Sequence, residues 1–330
     1  MTVAMVDLFA GPGGLDVAAR WLGVVATGIE WDRNACATRA AAGLATVVGD
    51  VRDHGPAEFP DATVLAGGPP CQTYTVAGSG AGRRALEVVL GFVKRMAAGE
   101  DVRDDLAGLD DERTGLVLEP LRWALEAHRL GRPYEAIVLE QVQAVLPVWV
   151  AVAEALAGIG YRSDLGILHT EEYGVPQTRR RAILIARRDR QPSLPQPTHQ
   201  RYRKGSAPVP GLPRWRSMAD ALDRDDFVVI SNYGTGGDPK ARGRRTSAEP
   251  AATVTGKISR NRLTTQDGTE LPRFTPAEAG TLQTFPPDYP WSGNDIPQQI
   301  GNAIPPRLAA HVLAAALGID LDPATIDSLH

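Results

Sequence analysis

The sequence predicts a doubly wound α/β sheet with helices on both faces, joined to a smaller basic unit. Three observations carry that prediction. Over the first two thirds of the chain, short β-branched runs alternate with longer Ala/Leu-rich runs, the pattern of βαβ units around a parallel sheet. Glycines or single acids follow five of the predicted strands, where the carboxyl ends of a parallel sheet would gather them. Beyond residue 190 the composition turns first to proline, then to Gly, Arg and Thr.

The first strand is expected at 3–8 and the glycine turn after it opens a helix at 15–22. Strands at 24–29 and 46–48 bracket a helix at 33–42. A fourth strand at 62–66 ends on Gly67-Gly68-Pro69-Pro70, and an amphipathic helix at 83–98 follows. Helices at 116–128 and 149–158 flank a strand at 136–139, and the last strand of the sheet is expected at 182–186. The segment 191–197 holds three prolines and marks a boundary. Pro305-Pro306 and Gly318 frame a final helix from Arg307, proline at its start and glycine at its exit. The expected organisation is an α/β unit at 1–189 with an insertion at about 80–111, a smaller basic unit at 190–291 and a C-terminal segment at 292–330 that returns to the first unit.

A chain of 330 residues, 43% hydrophobic and 22% charged, can bury a sizeable core. Two cysteines, Cys36 and Cys71, form neither a disulfide framework nor a zinc spacing, so no metal is expected and a reducing cytoplasm fits best. The first residues lack a basic segment followed by an apolar run, so no signal peptide is read, and no stretch is long enough to span a membrane. The net charge of −4 hides an asymmetry: residues 179–262 carry 19 Lys+Arg against 7 Asp+Glu, leaving −16 on the remainder. That third of the chain could hold a polyanion, although a basic stretch alone is equally compatible with a solvated surface.

The turn Phe9-Ala10-Gly11-Pro12-Gly13-Gly14-Leu15-Asp16, with Glu30 ending the second strand, has the logic of a nucleotide site. Glycines let backbone approach a ligand, and a carboxylate accepts from ribose hydroxyls. Asp50 adds an acceptor suited to an adenine amino group, and Trp31 a ring that could stack on adenine or simply join the core. A nicotinamide dehydrogenase would need a third glycine where Asp16 stands. S-adenosylmethionine, which has no pyrophosphate, does not.

The succession of segments then resembles a known family. Asp7 to Gly14, Glu30-Trp31, Gly67-Gly68-Pro69-Pro70-Cys71-Gln72, Glu140-Gln141-Val142, Gln177-Thr178-Arg179-Arg180-Arg181 and Gln299-Ile300-Gly301-Asn302-Ala303 are similar, in kind and order, to those of the cytosine-5 DNA methyltransferases. The resemblance implies a Rossmann-like methyltransferase sheet that binds S-adenosylmethionine and releases S-adenosylhomocysteine. Phe9, Gly11, Gly13, Gly14, Glu30, Trp31, Asp50, Val51, Pro69 and Asn302 would contact the cofactor. Carbon 5 of cytosine is a poor nucleophile, so a thiolate must first add to carbon 6, and Cys71 would supply it. Glu140 would stabilise the ring at N3 as a general acid, partial burial favouring its protonated form. Arg179 and Arg181 would orient Glu140 and hold the cytosine carbonyl or a phosphate.

The family also implies double-stranded DNA as partner, with the target base flipped out of the stack. Gln72, Arg201, Arg203, Lys204, Arg242, Arg244 and Arg245 would contact that DNA, and Gly234 to Gly237 would form a recognition loop. A monomer is expected, with a cognate restriction or defence system as a further partner. Two departures stand out. Gln141 occupies the position where the family usually has Asn, an amide that braces the Pro-Cys loop, and its extra methylene shifts the reach by roughly a bond length. The stretch 80–111 is longer than expected and reads by default as a solvated insertion. A tRNA cytosine methyltransferase or a silent DNA-binding homologue are the competing readings; the basic second unit opposes the first, and the retention of Cys71 and Glu140 opposes the second.

Overall fold

The computed structural model describes residues 3–70, 80–109, 113–205, 210–231, 242–322 and 326, with backbone alone at 80–85 and 113. Its larger sheet has seven strands: β1 (Ala4–Leu8), β2 (Val25–Glu30), β3 (Ala45–Val48), β4 (Val64–Gly67), β5 (Ala136–Val142), β6 (Arg162–His169) and β7 (Arg180–Arg187). They lie in the order β3-β2-β1-β4-β5-β7-β6, parallel except for β7, which runs antiparallel to both its neighbours. The chain leaves β1 toward β2 and β3, then returns to place β4 on the other side of β1. This reversal opens a crevice at the carboxyl ends of β1 and β4, the place where open α/β sheets bind ligands.

Both faces of the sheet are covered at its centre, which is why β1, β4, β5 and β7 are apolar for most of their length. On β5, Ile137 and Leu139 face one core and Ala136 and Val138 the other. The first core is closed by α3 (Gly80–Ala97), α6 (Glu119–Arg129) and α7 (Leu146–Ala157). Packing the second are α1 (Gly14–Trp21) and α10 (Pro306–Leu317), while α2 (Arg33–Ala41) joins β2 to β3 and α4 (Arg103–Ala107) and α5 (Arg113–Leu116) link α3 to α6. Pro306 sits in the first turn of α10, and Gly318 ends it at φ 71°, the left-handed cap that glycine adopts without strain.

A second sheet, β8 (Val228–Ile230), β9 (Arg244–Thr246), β10 (Arg262–Thr264) and β11 (Glu270–Leu271), is antiparallel in the order β11-β10-β8-β9. Its core includes Phe227, Val229, Leu263 and Phe274, with Leu282 from α8 (Pro276–Leu282) and Ile300 from α9 (Ile296–Asn302). Gln177 stitches the two sheets together. Its amide nitrogen donates to the Leu282 carbonyl at 3.1 Å and to Gln283 Oε1 at 2.6 Å, and its oxygen accepts from the Val254 N–H at 2.8 Å.

Two expectations need correction. The stretch 80–111 is not a solvated insertion, because α3 buries Val89, Phe92, Val93 and Met96, one stripe of its surface, in the first core. Strand β6 was not foreseen: in Arg-Ser-Asp-Leu-Gly-Ile-Leu-His only Leu165 and Ile167 alternate with Asp164 and Gly166 before Leu168 breaks the pattern, a short signal at the sheet edge.

Candidate active site

The rim is set out by the strand order. From one side to the other stand Asp50 beyond β3, Glu30 at the end of β2, the glycine turn beyond β1, Gly67 to Pro70 beyond β4, and Glu140 on β5. Because β7 is antiparallel, Arg179 to Arg181 enter the same rim at its start, and β6 delivers His169 beside them. β5 runs two residues past Glu140, held there by pairing of Gln141 and Val142 with Ala182 and Arg181.

The turn beyond β1 is tightly determined. Phe9 takes a left-handed φ of 60°, strained for a residue with a side chain. The Gly11 N–H donates to Glu30 Oε2 at 2.7 Å, while Glu30 Oε1 accepts from the N–H groups of Trp31 at 2.8 Å and Asp32 at 2.7 Å. Burial pushes the Glu30 carboxyl up, although the three backbone donors pull the other way. A Cβ on Gly14 would lie 2.3 Å from the Ile304 carbonyl oxygen, so the C-terminal segment closes the turn from outside. The Tyr289 hydroxyl, donating to the Pro12 carbonyl, does the same. Asp16, standing where a dinucleotide turn has glycine, forms a buried ion pair with Arg39 at 2.7 Å. That pair ties α1 to α2 beneath the turn.

These residues fit an adenosine moiety. Gly11, at φ 54°, has open space within 4 Å of a Cβ built on it, so a ligand can approach its backbone. Glu30 Oε2, which accepts from one backbone N–H, keeps lone-pair capacity for a hydroxyl donor. Trp31 leaves 59% of its surface exposed, so it is not a core residue, and its ring is free to stack. Asp50 is more committed: both its oxygens accept from Arg52, at 2.6 to 3.1 Å, and its carboxyl is held below the ordinary range, burial opposing but the Arg52 contacts prevailing. Val51 is buried in the first core beside it. Asn302, at the end of α9, is exposed, its amide oxygen accepting from Gln298 at 2.7 Å.

Around Glu140 the contacts are short. Arg181 Nε lies 2.5 Å from Glu140 Oε1, and a Cβ on Gly68 would lie 3.4 Å from Oε2. Gln141 spans the gap that its extra methylene put in question: its amide nitrogen donates to the Pro69 carbonyl, and its oxygen accepts from the Val142 N–H. Arg179 does not share the Glu140 contact expected of both arginines. Its buried guanidinium donates to the carbonyls of Val254 and Gly301, each at 2.9 Å, fixing β7 to the second sheet and the C-terminal segment. Burial and the Arg181 cation weigh against its charge, which the two carbonyls and Glu140 support. Cys71, Gln72 and the predicted recognition loop at Gly234 to Gly237 lie outside the described residues.

Beside this rim opens a cleft of about 770 Å³ between the two sheets. Arg179, Arg180, Arg181, Arg201, Arg203 and Arg245 line it. Of the predicted DNA contacts, Arg201, Arg203 and Arg245 converge there. Lys204 and Arg244 are exposed and Arg242 half-buried, none of them on its wall. Arg245 is not free for a phosphate alone, since it donates to the Pro250 carbonyl and stacks over Tyr202 at 4.7 Å. The wall also holds His169, Glu171 and Tyr202, which no sequence motif singled out.

The fold and rim define a Rossmann-like α/β enzyme with its site at the sheet's topological switch. The sequence model of the C-5 cytosine-specific DNA methylases matches residues 3–93, 105–212 and 214–317, and the chain belongs to that family. It is a DNA cytosine-5 methyltransferase. Relatives include the type II methyltransferase M1.HphI of Haemophilus parahaemolyticus, 26% identical over 77% of this chain and 68% of its own length. M.PspPI of a Psychrobacter strain, also a type II methyltransferase, is 28% identical over 93% of this chain and 77% of its own. In fold, the chain is similar to the S. pombe Dnmt2 methyltransferase, with a TM-score of 0.63 at 15% identity over 96% of this chain and 99% of that one. The Entamoeba histolytica methyltransferase EhMeth gives 0.61 at 14% identity over 100% and 99%. Among the described residues, no helix is long and apolar enough to cross a membrane.

Proposed function

We propose that the chain methylates carbon 5 of a cytosine flipped out of a specific double-stranded DNA sequence, through a transient bond between Cys71 Sγ and carbon 6. The observation that carries this reading is the joint at β4 and β5. Gln141 holds the Pro69 carbonyl, and Gly68 lies against Glu140, so the strand bearing the acid braces the segment that leads into Cys71.

The Cys71 thiolate adds to carbon 6, and Glu140 donates to N3, where the displaced electron pair collects. Arg181 holds the Glu140 carboxyl against rotation through the 2.5 Å contact. Gly11, Glu30 and Trp31 would hold S-adenosylmethionine, which when bound would supply an electrophilic methyl group for carbon 5 to attack. Loss of the carbon 5 proton to a base then restores the double bond and expels Cys71 as thiolate, while Glu140 takes back the N3 proton. Arg201 and Arg203, exposed on the cleft wall, hold phosphates beside the opened base pair.

Bisulfite sequencing of a plasmid expressing the chain tests this reading. The expected result is protected cytosines in one short context, all lost in Cys71→Ala. Unmodified plasmid together with tRNA labelled by the purified protein would overturn it.

A further inference from the structure

One group on the cleft wall has no place in that chemistry. Glu171 follows β6 in a turn, Thr170–Tyr173, that is fixed from both sides. The Thr170 hydroxyl donates to the Gln177 carbonyl at 2.7 Å and accepts from the Arg179 N–H at 3.0 Å, and the Thr170 N–H donates to the Arg179 carbonyl at 2.9 Å. Glu171 is therefore held rigidly where six arginines gather, yet it is only 3% exposed and its Oε2 has no hydrogen-bond partner among the described residues. Its nearest cationic candidate, His169 Nδ1, stands 4.0 Å from Oε1. That ring stays neutral, held down at about 4 by burial and by Arg201 and Arg180. An acid there opposes polyanion binding, and one of its oxygens is left unsatisfied. A ligand donor would relieve both.

Resting on the reading of the cleft as the DNA site, we propose that Glu171 is a specificity-determining residue that reads a base flanking the target cytosine, accepting a hydrogen bond from an exocyclic amino group. Position decides against the target itself. β6 lies two strands from β5, roughly 10 Å at the usual strand spacing, too far to share the base held at Glu140. Chemistry decides the class of base. Cytosine offers an amino donor in the major groove and adenine an amino donor beside N7, whereas guanine and thymine turn carbonyl oxygens toward a carboxylate. Burial, with the Glu172 charge behind it, pushes the Glu171 carboxyl up to about 7 against a hydrogen bond from its own backbone N–H and the charges of Arg201 and Arg180. Near neutral pH the carboxylate suits cytosine and the acid, which also donates, suits adenine.

The test uses duplexes carrying the sequence context found by bisulfite mapping, with each flanking base pair within three positions replaced by the other three. Single-turnover methyl transfer is measured for the intact chain, Glu171→Leu and Glu171→Gln, alongside thermal melting. The intact chain is expected to favour cytosine or adenine over guanine and thymine about tenfold or more at one flanking position. Glu171→Leu should flatten that position alone, and Glu171→Gln should move the preference to adenine. A Leu variant that keeps the whole flanking profile, or that slows equally on every duplex, overturns the inference. If the Leu variant fails to fold, a Gln profile unchanged from the intact chain overturns it as well. An intact chain that methylates no DNA would instead sink the functional reading, so the two failures are distinguishable.

Discussion

At the scale of single residues, burial of acids sets how this protein responds to pH. Glu171 has an ordinary carboxyl value of 4.5, raised to about 7 in the folded chain by burial. Between those values the folded state binds more protons than the unfolded one, so stability falls as pH rises through that window. The contribution is fully present below about 4.5 and gone above about 7. Glu30, Glu172 and Asp7 are raised too, each chiefly by burial, and act in the same direction. Replacing Glu171 with Gln removes its part. The variant should match the intact chain near pH 4 and exceed its stability at pH 8 by on the order of 1–3 kcal/mol. Urea denaturation at pH 4, 6 and 8 measures this, and parallel curves for the two proteins would show that Glu171 keeps its charge on folding.

At the scale of elements, α3 is the test of whether residues 80–111 belong to the core. Phe92, only 9% exposed, sits on the stripe that packs against α7, whereas Val88 on the same helix is 43% exposed. Phe92→Ala should destabilise by about 3 kcal/mol and Val88→Ala by less than about 0.5 kcal/mol, as read from chemical denaturation. Equal, small losses would mean that α3 is only loosely attached. The stripe at 89, 92, 93 and 96 was legible in the sequence as helical periodicity, but what it packs against was not, since α7 begins at Leu146. Local pattern reveals an element's period; it carries no information on its partner. The same limit hid β6, whose edge position permits polar residues, and misjudged Arg179, whose acceptors lie 75 and 122 residues away. What the sequence made plain was local chemistry: the glycine turn, Glu30 and the arginine run are contiguous signals. The Gln141 contact lay between, its type visible in the sequence and its reach to Pro69 only in three dimensions.

On the scale of the whole molecule, the charge asymmetry becomes a cleft. A chain of net charge −4 gathers positive charge on the side where β7 meets the second sheet, so its attraction for a polyanion is local and its remaining surface repels one. Within the cleft the arginines divide by what already occupies them. Arg179 is spent on two carbonyls and Arg181 on Glu140, whereas Arg201 and Arg203 are exposed at the wall and available to phosphates. Each phosphate contact releases condensed counterions and contributes about 0.9 to the slope of log affinity against log salt. The double variant Arg201→Ala, Arg203→Ala should therefore lower that slope by about 2, measured by fluorescence anisotropy with a duplex between 50 and 200 mM salt. Its preference for the target sequence should stay as it was, because phosphate contacts position the duplex without reading it. Arg179→Met should behave in the opposite way, losing thermal stability through the two orphaned carbonyls while any DNA-binding fraction keeps the intact slope. An unchanged slope in the double variant would place the polyanion elsewhere on the molecule and detach the basic cleft from the methyl-transfer rim beside it.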